Sequence, residues 1–235
     1  MEIFGIDGWF FLLRWLHFLA GITWIGVLYY FNFIQTPFFG TDLGGQARGL
    51  MVRGLVPNAL WWFRWGAMFT FLTGWAIVLL KMHQAGGITP NEGYLTLILT
   101  GGTMGTIMWA NVWFVIWPAQ KLAIASAEAV AGGGEANPEA AARAPLAARA
   151  SRTNTLFSFP MLFFMGAASH FPQMLSGSPS YAQYWLGMLI LVALVELNAL
   201  APKLPTHKPL SSVSGTIHAG LGLTVVLYIL AQVTL

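Results

Sequence analysis

The stretch WFFLLRWLHFLAGITWIGVLYYFNF, residues Trp9–Phe33, decides the fold class, because it is long and apolar enough to cross a lipid bilayer. It carries two ionisable side chains, Arg14 and His17, inside that apolar length. Such groups persist in hydrocarbon mainly where a buried partner or a function compensates for their cost. The two residues share one helix face, which Gly21 continues one turn further on. This face predicts either a haem bound by His17 or a histidine hydrogen-bonded to a neighbouring helix.

The composition places the chain among membrane proteins. Of its 235 residues, 57% are hydrophobic and only 8% are charged, whereas a soluble domain carries about 25% charged residues. There is no basic tract that would indicate a nucleic-acid partner. The absence of cysteine excludes disulfides, thiolate metal sites, iron–sulfur clusters and covalently attached c-type haem. Any cofactor must therefore be held by His, Met or oxygen ligands.

Six apolar runs predict an all-α, polytopic membrane helix bundle that forms a single transmembrane domain over residues 1–235. The runs cover residues 9–33, 60–82, 94–117, 155–175, 181–201 and 211–234. Eight basic residues fall in alternate connections: Arg48, Arg53, Lys121, Arg143, Arg149, Arg152, Lys203 and Lys208. By the positive-inside rule, those connections face the cytoplasm and both termini lie outside it. The expected location is a bacterial inner membrane.

The long third connection, residues 118–154, is rich in alanine and glycine and is expected to be a cytoplasmic linker. Ala119–Ala131 can extend the third helix into water, and Gly132–Gly134 should end it. Between the two prolines that follow, Glu139–Ala144 leaves room only for a short second helix.

Helical rise sorts the intramembrane polar residues into two layers. In the outer layer, His17 lies about 12 Å and His170 about 8 Å from the outer ends of their spans. The two histidines can therefore approach one site if their helices are neighbours. Arg14 belongs to the same layer, whereas His83 and His207 flank helix ends and are expected to be solvated.

The inner layer is expected to contain His218, Asn32, Arg64, Asn111, Glu196 and Asn198. Glu196 needs a close cation or a proton to persist in the membrane, and Arg64 lies at a compatible depth. This predicts either a structural Glu196–Arg64 ion pair or a role in handling a proton or substrate. His218, followed by small residues, is expected to ligate a second haem or to act as a base.

Three motifs carry a resemblance to a known family. RWLHFLAGITWIG (Arg14–Gly26), GTIMWANVWFVIWPAQ (Gly105–Gln120) and RTNTLFSFPMLFFMGAASHFP (Arg152–Pro172) resemble the N-terminal membrane domain of the bacterial membrane-bound urate oxidases. The first motif alone is also similar to small membrane haem proteins of the copper-resistance D type and to the membrane protoporphyrinogen oxidase.

The resemblance implies purine catabolism: oxidation of urate to 5-hydroxyisourate, with electrons passing to the respiratory chain through a C-terminal cytochrome c domain. This sequence reaches Leu235 directly after the sixth span without a cysteine, so a separate cytochrome c or respiratory complex is the expected electron acceptor. His17 and His170 are the histidines inside the shared motifs, and Asn111 lies in the middle motif.

We therefore expect His17 and His170 to ligate a b-type haem, with Arg14 beside a propionate. His218, Glu196 and Asn111 are the candidate catalytic residues, and urate or a similar small molecule is the candidate substrate. Two alternatives remain open at this point. The chain could be a non-catalytic haem protein carrying electrons from quinol to a soluble cytochrome. It could equally be an accessory transmembrane subunit of a respiratory or photosynthetic complex.

Overall fold

A computed structural model describes residues 3–84, 93–171, 180–202 and 204–235 of the chain. Regular structure in those ranges is helical and includes no strand, which confirms the all-α class. The α-helices are α1 (Ile6–Tyr29), α2 (Thr36–Phe39), α3 (Asp42–Gly54), α4 (Val56–Gln84), α5 (Gly93–Ala110), α6 (Trp117–Ala131), α7 (Pro138–His170), α8 (Tyr181–Leu200) and α9 (Val213–Thr234). A 3-10 helix, Pro205–Ser211, precedes α9.

Two π-helical segments interrupt the long helices. Tyr30–Gln35 joins α1 to α2, and Asn111–Ile116 joins α5 to α6, so each pair forms one continuous rod. Pro37 and Pro118 follow these segments within two residues. A proline in a helix interior lacks an N–H and clashes with the carbonyl four residues earlier, and a wider turn before it relieves that clash.

Five rods are long and apolar enough to cross a membrane, which makes the chain a multi-pass membrane protein. They are Ile6–Phe39, Val56–Gln84, Gly93–Ala131, Tyr181–Leu200 and Val213–Thr234. The predicted span 155–175 is not among these five. It lies in α7, whose inner half is made polar by Thr153, Asn154 and Ser158, and its end lies outside the described residues. The sidedness of the bundle stays a prediction.

Helix α7 occupies the centre of the bundle. It packs against α1, α5, α6, α8 and α9, while α1 packs antiparallel along α4. All seven residues from Arg152 to Ser158 are buried, with Arg152 the most exposed at 9%. Because successive residues of a helix point in all directions, such a run requires neighbours on every side.

The connection between α6 and α7 is more helical than predicted. Helix α6 ends at Ala131 as expected, and Gly133 adopts a left-handed φ of 85° in the break. The expectation of only a short second helix is wrong, because α7 starts at Pro138 and continues through Pro145. The Asn137 side chain caps its start by accepting the Glu139 N–H at 2.9 Å. Pro145 lies on an exposed turn, where water can satisfy the carbonyl that loses its partner.

Helices α7 and α9 approach each other closely at Gly220, which yields a first prediction. A Cβ atom there would lie 2.9 Å from the Leu156 carbonyl oxygen and 2.6 Å from the Phe159 ring. Gly220→Ala should therefore lower the stability of the bundle by about 1–3 kcal/mol, the usual cost of overpacking. Gly222→Ala on the same helix is the matched control, because no atom lies within 4 Å of its added Cβ. Equal thermal melts of the two variants in detergent would contradict this contact.

Candidate functional site

Asn111 connects three parts of the bundle through its side-chain amide. Its Nδ2 donates to Oδ1 of Asn154 on α7 at 3.0 Å and to Oε2 of Glu196 on α8 at 3.1 Å. Asn154 Nδ2 in turn donates to the Met108 carbonyl at 2.9 Å. Asn111 is 3% exposed and Asn154 is fully buried. Two of the predicted inner-layer residues, Asn111 and Glu196, are thus in direct contact.

Asn32 makes the corresponding connection from α1. Its Nδ2 donates to the Ser151 hydroxyl of α7 and to the Leu28 carbonyl, both at 2.9 Å. One turn further out, the Tyr29 and Ser158 hydroxyls are hydrogen-bonded at 2.8 Å. These contacts fix the register of α1 on α7. Asn32, Asn111, Ser151, Asn154 and Glu196 are hereafter called the inner polar layer.

The inner polar layer lies where both long rods become π-helical. Asn32 belongs to the first π segment, and Asn111 begins the second. In each case an asparagine amide donates to a carbonyl just before the segment, that of Leu28 or that of Met108. A side chain that inserts into the backbone ladder in this way stabilises the irregular turn. Single π turns of this kind are frequent at functional sites.

The predicted Glu196–Arg64 ion pair is wrong. The Arg64 guanidinium lies over the Trp117 ring, 3.3 Å from its centroid, and its Nε donates to the Leu60 carbonyl at 3.1 Å. Among the described residues, the ion pair that forms is the surface pair Arg143–Glu139. Depth along the helices favours this pair, but the Arg64 side chain is directed to the α4–α6 contact. The aromatic face compensates for the cation there.

His17 lies in the α1–α4 interface. Its Nδ1 is 3.0 Å from the Thr73 hydroxyl, whose own proton is donated to the Phe69 carbonyl at 2.6 Å. Thr73 Oγ1 must therefore accept from Nδ1–H, which leaves the lone pair on Nε2. Gly74 makes room for the ring, since a Cβ there would be 3.0 Å from His17 Cε1.

His170 and His218 carry their protons on the same nitrogen as His17. His170 Nδ1 donates to the Gly166 carbonyl at 2.9 Å, and His218 Nδ1 donates to the Ser214 carbonyl at 2.7 Å. A carbonyl can only accept, so Nε2 is again the atom with the lone pair. Both side chains are exposed, as is that of His83.

These imidazoles fit a b-type haem by their donor chemistry, because iron-ligating histidines normally donate the other ring N–H to a fixed acceptor. Arg14 is exposed one turn outward from His17. The structure makes no contact between His17, which faces α4, and His170, which is bonded to its own helix. No group of three His, Cys, Asp or Glu residues that could hold a metal occurs within the described ranges. Haem ligation by this pair stays a prediction.

The expected solvation of His207 is also wrong. His207 is half-buried, its Nε2 donates to the Asn198 carbonyl at 2.6 Å, and its Nδ1 accepts the Leu204 N–H at 3.3 Å. The Asn198 side chain accepts from the Thr206 hydroxyl. Asn198 therefore closes the end of α8 and is not part of the inner polar layer.

Sequence reasoning missed the part of the site that α7 contributes. Arg152 was assigned to the cytoplasmic connection, yet it is 9% exposed and buried in the bundle. Ser151 and Asn154 also belong to the site, although both fall in the predicted connection, residues 118–154. The run RASRTNT, Arg149–Thr155, was the signal in the sequence that could have indicated these residues. Its polar residues occupy every face of a helix.

Comparison with known proteins supplies the remaining finding. A family model described as urate oxidase N-terminal matches residues 92–228, which is more than half of the chain. The matched range contains Asn111, Ser151, Asn154 and Glu196, whereas Asn32 precedes it. No curated protein and no solved structure matches the chain.

Proposed function

We propose a function from one premise: this chain belongs to the urate oxidase N-terminal family. As a multi-pass protein of the bacterial inner membrane, it oxidises urate or a closely similar oxopurine within the helix bundle. A b-type haem held by His17 and His170 would carry the electrons to a separate cytochrome c. The family membership supports the substrate class, and the inner polar layer supports the position of the reaction.

The observation that carries this proposal is the buried contact of Asn111 with Asn154 and Glu196. An oxopurine edge presents N–H groups beside its C=O groups, and carboxamide and carboxylate oxygens can accept hydrogen bonds from those N–H groups. In the part of the chain that the structure describes, Asn111 Oδ1 and Glu196 Oε1 have no hydrogen-bond partner. Two acceptors therefore remain for ligand N–H groups.

The reaction needs a proton acceptor, and we assign that role to a residue of the inner polar layer. Oxidation of urate to 5-hydroxyisourate adds the hydroxyl of one water molecule and releases two protons and two electrons. Glu196 takes a proton as the C–O bond forms, and Asn111 holds the carboxylate in position. A bound haem would supply the one-electron acceptor. His218, exposed on α9 and bonded to Ser214, touches neither Asn111 nor Glu196, so the base role falls to Glu196.

Glu196→Gln tests this assignment. The amide oxygen of glutamine can still accept from Asn111, so the melting temperature should stay near that of the wild type. Turnover should fall about 100-fold or more, because the side chain can no longer take a proton. The measurement is the loss of urate ultraviolet absorbance with oxidised cytochrome c as acceptor. Glu128→Gln, on the exposed face of α6, is the matched control. Normal turnover of Glu196→Gln would remove Glu196 from the mechanism.

The same assay separates the alternative functions. Purified protein that contains haem and exchanges electrons with quinol and cytochrome c, but leaves urate unchanged, is an electron carrier. Protein that has neither haem nor turnover after haem-replete expression is an accessory subunit. Either result would overturn the proposed oxidation of urate.

A further inference from the structure

Arg152 is a buried cation that pairs with none of the described residues. It is 9% exposed, and its Nη1 is closed off from solvent without a hydrogen-bond acceptor. Within the described ranges, no carboxylate pairs with it. The other arginines of α7 are compensated, since Arg149 Nε donates to the Ala199 carbonyl at 2.9 Å and Arg143 pairs with Glu139.

A guanidinium in this position is stabilised by an anion. Arginine stays protonated at every ordinary pH, so the side chain cannot avoid the cost of burial by losing its proton. An uncompensated charge inside a helix bundle strongly destabilises it, and intramembrane charges accordingly mark ligand sites or close partners. The described residues supply no such partner to Arg152, so a bound anion would compensate for its charge.

The first π segment, which follows α1, carries an unpaired hydrogen-bond acceptor, the side-chain oxygen of Gln35. The Asn32–Ser151 hydrogen bond places the first π segment beside the residue that precedes Arg152. Gln35 ends the same π segment, three residues after Asn32. It is 8% exposed, and its Oε1 is buried without a donor. A ligand that satisfies both unpaired groups must carry negative charge and also an N–H group.

The beginning of α9 lies at the level of Arg152. Leu156 and Phe159 of α7 meet Gly220, and Phe163 contacts Tyr228, so α7 and α9 run parallel. Arg152, one turn before Leu156, is consequently level with the first turn of α9. The unpaired N–H groups of a first turn give it a partial positive charge, which favours an anion over a second cation.

We propose that Arg152 binds a small organic anion carrying at least one N–H group, at the inner junction of α1, α7 and α9. This site rests on the proposed function for one point, namely that the anion is urate in its singly ionised form. Arg152 and Asn154 are two residues apart on α7 and therefore point to nearly opposite sides of that helix, so the Arg152 site is a second position for urate, separate from Asn111 and Glu196. It lies about 22 Å along α1 from the level of His17, counting from Asn32 at 1.5 Å per residue. Substrate would thus bind at the end of the bundle opposite the candidate haem ligands.

The experiment compares Arg152→Gln with Arg149→Gln in purified full-length protein. Equilibrium dialysis with labelled urate measures binding, and thermal melts with and without urate give a second readout. Arg152→Gln should weaken urate binding about 10- to 100-fold, the range for losing a hydrogen bond to a charged group. Without urate, this variant should melt no lower than the wild type, because an uncompensated charge is gone. Arg149→Gln should keep urate binding. Wild-type affinity in Arg152→Gln would overturn the proposal.

A second variant covers the case in which Arg152→Gln does not fold. Gln35→Leu removes an unpaired buried acceptor and should fold well, yet it should weaken urate binding several-fold. Sulfate is the comparison probe, because it is an anion without N–H groups, and its binding should be unaffected by Gln35→Leu. Unchanged urate affinity in Gln35→Leu would exclude the site at this junction.

Failure of this site and failure of the proposed function give different results. If urate binds through Arg152 but is not oxidised, the anion site stands and the oxidase function fails. If urate is oxidised and Arg152→Gln leaves urate binding unchanged, the oxidase function stands and the anion site fails.

Discussion

Asn154→Leu is expected to yield little folded protein, because it disconnects the centre of the bundle. The change removes the acceptor of Asn111 Nδ2 and the donor to the Met108 carbonyl. Each buried group left unpaired costs about 1–3 kcal/mol. The combined loss is a large part of the roughly 5–15 kcal/mol that stabilises a typical domain. Residue 154 is fully buried, so water cannot replace either hydrogen bond.

The measurement for Asn154→Leu is the yield of monodisperse protein in detergent, followed by a thermal melt. Ser169→Leu makes a comparable polar-to-leucine change on the exposed face of the same helix and should behave like the wild type. Asn111→Leu should destabilise the protein similarly. The double variant should cost less than the sum of the two, because the residues share one hydrogen bond. A melting temperature of Asn154→Leu equal to that of Ser169→Leu would show that the inner polar layer contributes nothing to stability.

His17→Ala is expected to remove the Soret and α-band absorbance of the purified protein, if His17 ligates haem. The geometry favours this role, because Nδ1–H is held by Thr73 and the lone pair is left on Nε2. Thr73→Val should shift the haem potential or spectrum without removing haem, since it takes away only the acceptor that orients the ring. A plain structural histidine would leave the spectrum unchanged in both variants.

Three further histidine variants complete that test. His170→Ala should abolish or strongly shift the same bands. His218→Ala should halve the haem content if a second haem binds, and should otherwise leave haem content and turnover unchanged, because Glu196 has the base role. His83→Ala is the control, since that side chain is exposed at the end of α4. A folded wild type without a Soret band after haem-replete expression would remove haem from the proposal, and His17 would then be a packing residue of the α1–α4 interface.

The sequence by itself determined the features that depend only on position along the chain. Apolar length and sparse charge establish a helical membrane bundle, because no other backbone arrangement of such segments satisfies its own hydrogen bonds in lipid. Depth along each helix follows from a constant rise per residue. Counting residues therefore placed Asn32, Asn111 and Glu196 in one layer, and the structure connects all three to the bundle centre through hydrogen bonds.

Only the tertiary structure decided what each polar group faces. Arg64 and Glu196 lie at compatible depths, yet one stacks on Trp117 and the other accepts from Asn111. The two side chains point in different directions, because each residue of a helix is turned by about 100° from the one before it. Helix packing determines which of these directions meets a neighbouring helix. Packing likewise placed α7 at the centre and enclosed Arg152, which the sequence assigns to a cytoplasmic connection. Burial depends on how neighbouring helices surround a residue, and no single segment contains that information.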